Sequence, residues 1–175
     1  MERDFAQILY REPAIRAAIR RGARKASRDY AGRTPLVVGI LKGGIYFMAH
    51  LTQAMTVPLE IEFIQASSYG NGLQSTGRVR KRGDTGFSVK GRHVLLVDDI
   101  LDTGRTLRRF HREFERQGAA SVRSMVLFDK KEARQVAYEA DEALLPVSNV
   151  WLTGFGLDYK GLYRNCPFVG VLRGI

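Results

Sequence analysis

Between Val94 and Leu107 the chain reads VLLVDDILDTGRTL, an order of residues that few folds accommodate. Val94, Leu95, Leu96 and Val97 form a continuous apolar run, the pattern of a strand covered on both faces in a parallel sheet. Asp98 and Asp99 stand at the expected end of this strand. The small, hydroxyl-rich stretch Asp102-Thr103-Gly104-Arg105-Thr106 follows, and Leu107, Phe110, His111 and Phe114 then recur with helical spacing. A strand, a tight turn and a helix N-terminus in succession make an anion site. The first-turn N–H groups lack an intrahelical partner and carry the positive end of the helix dipole. Carboxylates beside such a cradle would repel a bare phosphate. They suit a ligand with hydroxyl groups or a hydrated divalent cation, because carboxylate oxygens accept from ribose hydroxyls and from metal-bound water. The stretch fits a ribose 5-phosphate.

A strand buried on both faces needs neighbours. Leu36-Val37-Val38-Gly39-Ile40 is a second candidate, and it runs into Leu41-Lys42-Gly43-Gly44, where paired glycines let the backbone approach a ligand closely. Val122 to Leu127 supplies another strand, ending Phe128-Asp129-Lys130-Lys131, and Phe168 to Leu172 reads as the last. Val57 to Ile64 alternates and predicts a half-exposed strand. Ile15, Ile19, Ala23, Ala26 and Tyr30 recur at spacings of three and four, so Glu12 to Tyr30 predicts an amphipathic helix with Pro13 in its first turn. Further helices are expected over Ile45 to Met55 and from near Gly104 to Gly118. Ligand-type residues fall after strand ends at 41–44, 98–106, 130 and 158. The implied class is α/β, a central mostly parallel sheet flanked by helices and binding at its carboxyl edge.

A length of 175 residues with 45% hydrophobic composition allows a single domain, 1–175, with a sizeable core. Lys and Arg number 28 against 18 Asp and Glu, a net charge of +10, so an anionic partner is expected: nucleic acid, pyrophosphate or a phosphorylated sugar. Arg16, Arg20, Arg24 and Arg28 suit either a solvated helix face or contact with RNA or a partner chain. Cys166 is the only cysteine, which excludes an intrachain disulfide and fits a reducing compartment. The opening MERDFAQILYREP is too charged for a signal peptide, and no apolar run reaches membrane-spanning length. A cytoplasmic protein without membrane contact is expected. Residues 66–86 break every periodicity and carry the basic run Arg78-Val79-Arg80-Lys81-Arg82. A loop of that length reads as a lid or as disorder. Its basic run suits a solvated hairpin tip or contact with polyphosphate or nucleic acid.

VLLVDDILDTGRTL resembles the phosphoribosyl-pyrophosphate motif of the type I phosphoribosyltransferases. Leu41-Lys42-Gly43-Gly44 is similar to the pyrophosphate loop of the purine salvage branch of that family, and GFGLDYKGLYR at 154–164 to its late segment. The resemblance runs from Asp4 to Leu172. It implies transfer of a 5-phosphoribosyl group from phosphoribosyl pyrophosphate to N9 of hypoxanthine or guanine, with Mg2+ as cofactor.

The resemblance also implies roles. Thr103, Gly104, Arg105 and Thr106 would hold the 5-phosphate; Asp98 and Asp99 the ribose hydroxyls and metal waters; Leu41, Lys42, Gly43, Gly44 and Arg164 the pyrophosphate. Asp102 would accept the purine N7 proton as general base. Lys130, with Lys131 as the alternative, would donate to the exocyclic oxygen. Trp151, which by itself also reads as a core residue, would stack on the purine beside Leu152. Asp158 would lie near the base edge and join Asp98 and Asp99 at the metal. Ser68 and Tyr69 would open a mobile lid over 66–86, and 130–160 would form a small hood over the base. A non-proline cis peptide is implied between Leu41 and Lys42, and association into a homo-oligomer. Asp98 stands where the hypoxanthine enzymes carry glutamate, a change that keeps the charge and shortens the reach. The same fold also serves nucleotide-sensing regulators that bind RNA or DNA. Asp102, Lys130, Trp151, Asp158 and Arg164 together favour catalysis, since a pure regulator has no need of a base at 102.

Overall fold

The structure, a computed structural model, describes residues 1–65 and 86–174. The strand read first is its centre. β1 (Phe5–Tyr10) precedes α1 (Glu12–Asp29), β2 (Leu36–Leu41), α2 (Ile45–Ala54) and β3 (Glu60–Gln65). The central strand is β4 (His93–Leu101), followed by α3 (Arg105–Arg116), β5 (Ser121–Asp129), β6 (Glu142–Pro146) and β7 (Val169–Leu172). Five strands form one parallel sheet in the order β3-β2-β4-β5-β6.

Alternation along each strand sends side chains to two cores. Val37, Leu95, Val97 and Met125 pack with α1 and α2 on one face, while Val38, Val94, Leu96 and Val126 pack with Leu107, Phe110 and Phe114 of α3 on the other. Each buried phenylalanine of α3 contributes about 1.5–3 kcal/mol by leaving water. From β2 the chain winds outward to β3, and from β4 it winds the opposite way to β5. The winding reverses between β2 and β4, the place in an open α/β sheet where the loops at the carboxyl ends part and a ligand crevice is expected.

The parallel sheet and its flanking helices match the class expected, with four differences of detail. β4 does not end at Asp98 and Asp99: it runs on to Leu101, because Asp98, Ile100 and Leu101 pair with Val126, Phe128 and Asp129 of a longer β5. β3 starts at Glu60 rather than Val57, since Pro58 has no N–H to give a ladder and pairing begins at Leu36 with Glu60. Val169–Leu172 is a strand but lies outside the main sheet, paired antiparallel with β1, which period alone did not suggest. β6, also unanticipated, adds the far edge of the sheet within the stretch expected as hood. Among the described residues no helix is long and apolar enough to cross a membrane. Ser68, Tyr69 and the basic run 78–82 lie outside the described residues.

Candidate active site

The carboxyl edge of the sheet gathers the turn after β2, the end of β4 with the start of α3, the turn after β5, and the late segment 151–164. The Leu41–Lys42 peptide is cis, as the resemblance implied. Gly43 is closed in from two sides: a β-carbon there would overlap the Asp99 carboxylate, and a β-carbon on Gly156 would overlap the Gly43 carbonyl. Only hydrogen at both positions lets the turn after β2, the acid of β4 and the late segment touch. Gly44 caps α2, and its amide donates to Ile40 O at 3.2 Å.

Asp98 and Asp99 are consecutive in a strand, so their side chains leave on opposite faces, yet both are buried. Asp98 Oδ1 accepts from the Asp99 amide at 3.0 Å, and Asp99 Oδ1 from the Ile100 amide at 2.8 Å. Burial pushes both carboxyls above their ordinary range; for Asp98 the neighbouring Asp99 charge adds to the effect, while the Arg164 guanidinium works against it at Asp99.

Next along the chain, Gly104 takes φ +80° as the cap residue before α3. That left-handed turn swings the backbone from strand to helix, and the first-turn amides of α3 have no partner within the helix. The Arg105 amide meets Thr103 Oγ1 at 3.3 Å. Asp102, in front of this turn, is 46% exposed at its side chain, and Lys130 reaches it from the end of β5 with Nζ 3.6 Å from Oδ2. Of the two candidate lysines it is Lys130 that is buried and faces Asp102, whereas Lys131 is exposed in a short 3-10 turn.

Trp151 is 60% exposed, which removes the core reading, while Leu152 beside it is buried. Arg164 Nη1 donates to Gly156 O at 2.6 Å, and its Nη2 pairs with Asp158 Oδ1 at 2.5 Å. Asp158 Oδ2 accepts from the Gly161 amide at 2.7 Å. The pyrophosphate cation and the late acid expected from the motif are therefore mutual partners. Gly156, in the same turn, brings them against the 41–44 loop.

Sequence reasoning missed Asp129 and Arg134. Arg134 lies five residues beyond a buried acid at a strand end, a spacing that carries no motif; its guanidinium turns back to Asp129 and to the main chain of residues 101, 102 and 130. No group of three or more His, Cys, Asp or Glu side chains among the described residues could hold a metal ion. The acids present are hard oxygen donors that fit a Mg2+ held by one or two carboxylates together with phosphate oxygens and water.

A family model for the phosphoribosyl transferase domain matches residues 6–160. The hypoxanthine-guanine phosphoribosyltransferase of Streptococcus pneumoniae strain R6 is 42% identical over 173 residues, covering 99% of this chain and 96% of the relative. That of Streptococcus agalactiae serotype V is also 42% identical, with the same coverage of each. The hypoxanthine phosphoribosyltransferase of Trypanosoma cruzi, solved with its product IMP, superposes with a TM-score of 0.85 at 39% identity, covering 98% of this chain and 96% of that one. A Staphylococcus aureus hypoxanthine phosphoribosyltransferase gives 0.87 at 32% identity, covering 99% and 94%. The nucleic-acid regulator expected as an alternative finds no support among these relatives.

Proposed function

This chain belongs to the phosphoribosyl transferase family, and from that premise we propose that it moves the 5-phosphoribosyl group of phosphoribosyl pyrophosphate to N9 of hypoxanthine or guanine. The products are IMP or GMP and pyrophosphate. The observation that carries the reading is the Lys130–Asp102 pair at the lip of the phosphate cradle. An ammonium suits the O6 acceptor of a 6-oxopurine, and a carboxylate suits the proton on the adjacent N7. Adenine offers an amino group at that place, which cannot accept from Lys130, so the pair selects against it.

In the reaction the C1–O bond to pyrophosphate breaks with its electron pair leaving on pyrophosphate, N9 bonds to C1, and the N7 proton passes to Asp102. Cationic character builds on the sugar, so stabilisation of the leaving anion lowers the barrier. Arg164 and the backbone of 41–44 supply it, with Arg164 exchanging Asp158 and the Gly156 carbonyl for pyrophosphate oxygens. The amides and side chains of Thr103 to Thr106 hold the 5-phosphate, Asp98 and Asp99 the ribose hydroxyls, and Trp151 with Leu152 the purine face. Mg2+, bound through Asp98, Asp99 or Asp158 and the substrate, would neutralise charge on the pyrophosphate.

The enzyme works in the cytoplasm and associates with further copies of itself; the exposed Ile61 and Phe63 on edge strand β3 offer apolar surface for that contact. Purified protein with phosphoribosyl pyrophosphate and Mg2+, assayed against hypoxanthine, guanine, xanthine, adenine and uracil, tests the reading. Pyrophosphate release with hypoxanthine or guanine and not with adenine or uracil is expected. Release with adenine or uracil alone overturns it.

A further inference from the structure

We propose that Arg134 is a positioning residue for the transfer reaction, fastening the backbone that carries Asp102 to the backbone that carries Lys130. The inference rests on the roles proposed above for those two side chains.

Arg134 Nη1 donates to Asp102 O at 2.5 Å and to Leu101 O at 2.7 Å, with Lys130 O at 3.4 Å. These carbonyls lie at the ends of two neighbouring strands, β4 and β5. Nη2 donates to Asp129 Oδ1 at 2.5 Å, so a guanidinium with little exposure meets a buried carboxylate. The surrounding backbone repeats the same connection. The Lys130 amide donates to Leu101 O at 3.0 Å, and the Gln135 and Val136 amides donate to Thr103 O at 3.0 and 3.3 Å. Arg134 Cδ and Val136 Cγ2 also close over Gly104, 3.1 and 3.2 Å from where its β-carbon would stand. Residues 130–136 thus lie as a strap across residues 101–104, and Arg134 is its clasp.

Each hydrogen bond of the clasp goes to main chain or to Asp129, and none to the Asp102 carboxylate or the Lys130 ammonium. Its influence on catalysis therefore passes through backbone position. The proton acceptor, the oxygen donor and the phosphate amides must match one substrate geometry, and a displacement of about 1 Å costs about 10²-fold in rate. A planar guanidinium spans carbonyls of two strands while keeping an ion pair; a lysine ammonium lacks that fork. Glu139 Oε1, 3.7 Å from Nε, is largely exposed and adds little.

Arg134→Lys, Arg134→Ala and Asp102→Asn, made in the full chain, test the proposal through melting temperature, KM for each substrate and the single-turnover rate of nucleotide formation. Arg134→Lys is expected to stay folded and to lose about 10- to 10²-fold in single-turnover rate. Free guanidinium at millimolar concentration should restore part of the rate of Arg134→Ala, and methylammonium should not. A rate for Arg134→Lys within twofold of the parent overturns the proposal, as does a loss in Arg134→Ala that follows the folded fraction and ignores guanidinium. Asp102→Asn separates the two readings. Full turnover by Asp102→Asn removes the base and leaves the strap standing if the Arg134 variants fail; a slow Asp102→Asn beside an intact Arg134→Lys removes only the strap.

Discussion

Lys130 Nζ lies 3.6 Å from Asp102 Oδ2, so the residues proposed as donor to the purine oxygen and acceptor of its N7 proton form one ion pair, set by the adjacent ends of β5 and β4. In the proposed reaction the pair would hold each charge in place before a base arrives and hand both to neighbouring atoms of the base edge. Asp102→Asn keeps shape and loses the proton acceptor. It is expected to slow turnover by about 10²-fold or more with phosphoribosyl pyrophosphate affinity nearly unchanged. Single-turnover kinetics beside a calorimetric titration measure both, and unchanged turnover removes Asp102 from the chemistry.

The buried acids carry a pH dependence. In the folded protein the Asp98 and Asp99 carboxyls bind a proton more tightly than in the unfolded chain, so this pair's contribution to stability falls as pH rises from the ordinary carboxyl range through the raised folded value. Asp98→Asn removes a buried charge and should melt higher than the parent at pH 8, with the gap closing toward pH 4. Each kcal/mol gained appears as about 2–4 °C. The same variant should bind phosphoribosyl pyrophosphate more weakly, because the amide gives up a charged acceptor for ribose hydroxyls or metal water. Thermal scans across that pH range decide the sign; a variant that melts lower at pH 8 contradicts it.

Much of this was legible in the order of residues. VLLV followed by two acids and DTGRT specified a buried strand, a turn and a helix start, and the turn and helix start stand at the carboxyl end of β4 in the sheet. The same letters could not show how far β4 runs, because its extension to Leu101 depends on pairing with Phe128 and Asp129, a contact between distant segments. β1, and the pairing of the last strand β7 with it outside the main sheet, escaped notice for a similar reason. Both are short strands that exist through each other, with an irregular register and no clean alternation. Arg134 was illegible as a functional residue since its partners are main-chain carbonyls, which any residue supplies. Gly43 was marked as a close-approach glycine, but the nature of the approach, Asp99 on one side and Gly156 on the other, needed the folded chain.

Gly43→Ala tests that approach. The added β-carbon overlaps the Asp99 carboxylate, so either the acid or the 41–44 turn must move. The KM for phosphoribosyl pyrophosphate should rise about tenfold or more, since small displacements in a positioned site cost large factors. Gly156→Ala presses on the Gly43 carbonyl and should act in the same direction. Steady-state kinetics with varied phosphoribosyl pyrophosphate check both, and a KM within twofold of the parent for either would show that the turn has room.

Trp151 separates binding from stability. At 60% exposure its indole adds little to the fold, and Trp151→Ala should change stability by less than about 0.5 kcal/mol. Loss of stacking should still weaken the base by about 1–3 kcal/mol, a rise of about five- to 150-fold in its KM. Denaturant unfolding and base-saturation curves on the same preparation measure the two effects, and a destabilised variant with normal base affinity would place the indole in the core.

The most direct measurement is a crystal structure of this chain soaked with IMP. The 5-phosphate is expected on the amides of Thr103 to Thr106, the ribose hydroxyls against Asp98 and Asp99, and the purine beside Trp151, with N7 facing Asp102 and O6 facing Lys130. Density for the phosphate elsewhere, or a nucleotide whose purine edge turns away from both Asp102 and Lys130, would contradict the assignment of this crevice as the site of phosphoribosyl transfer.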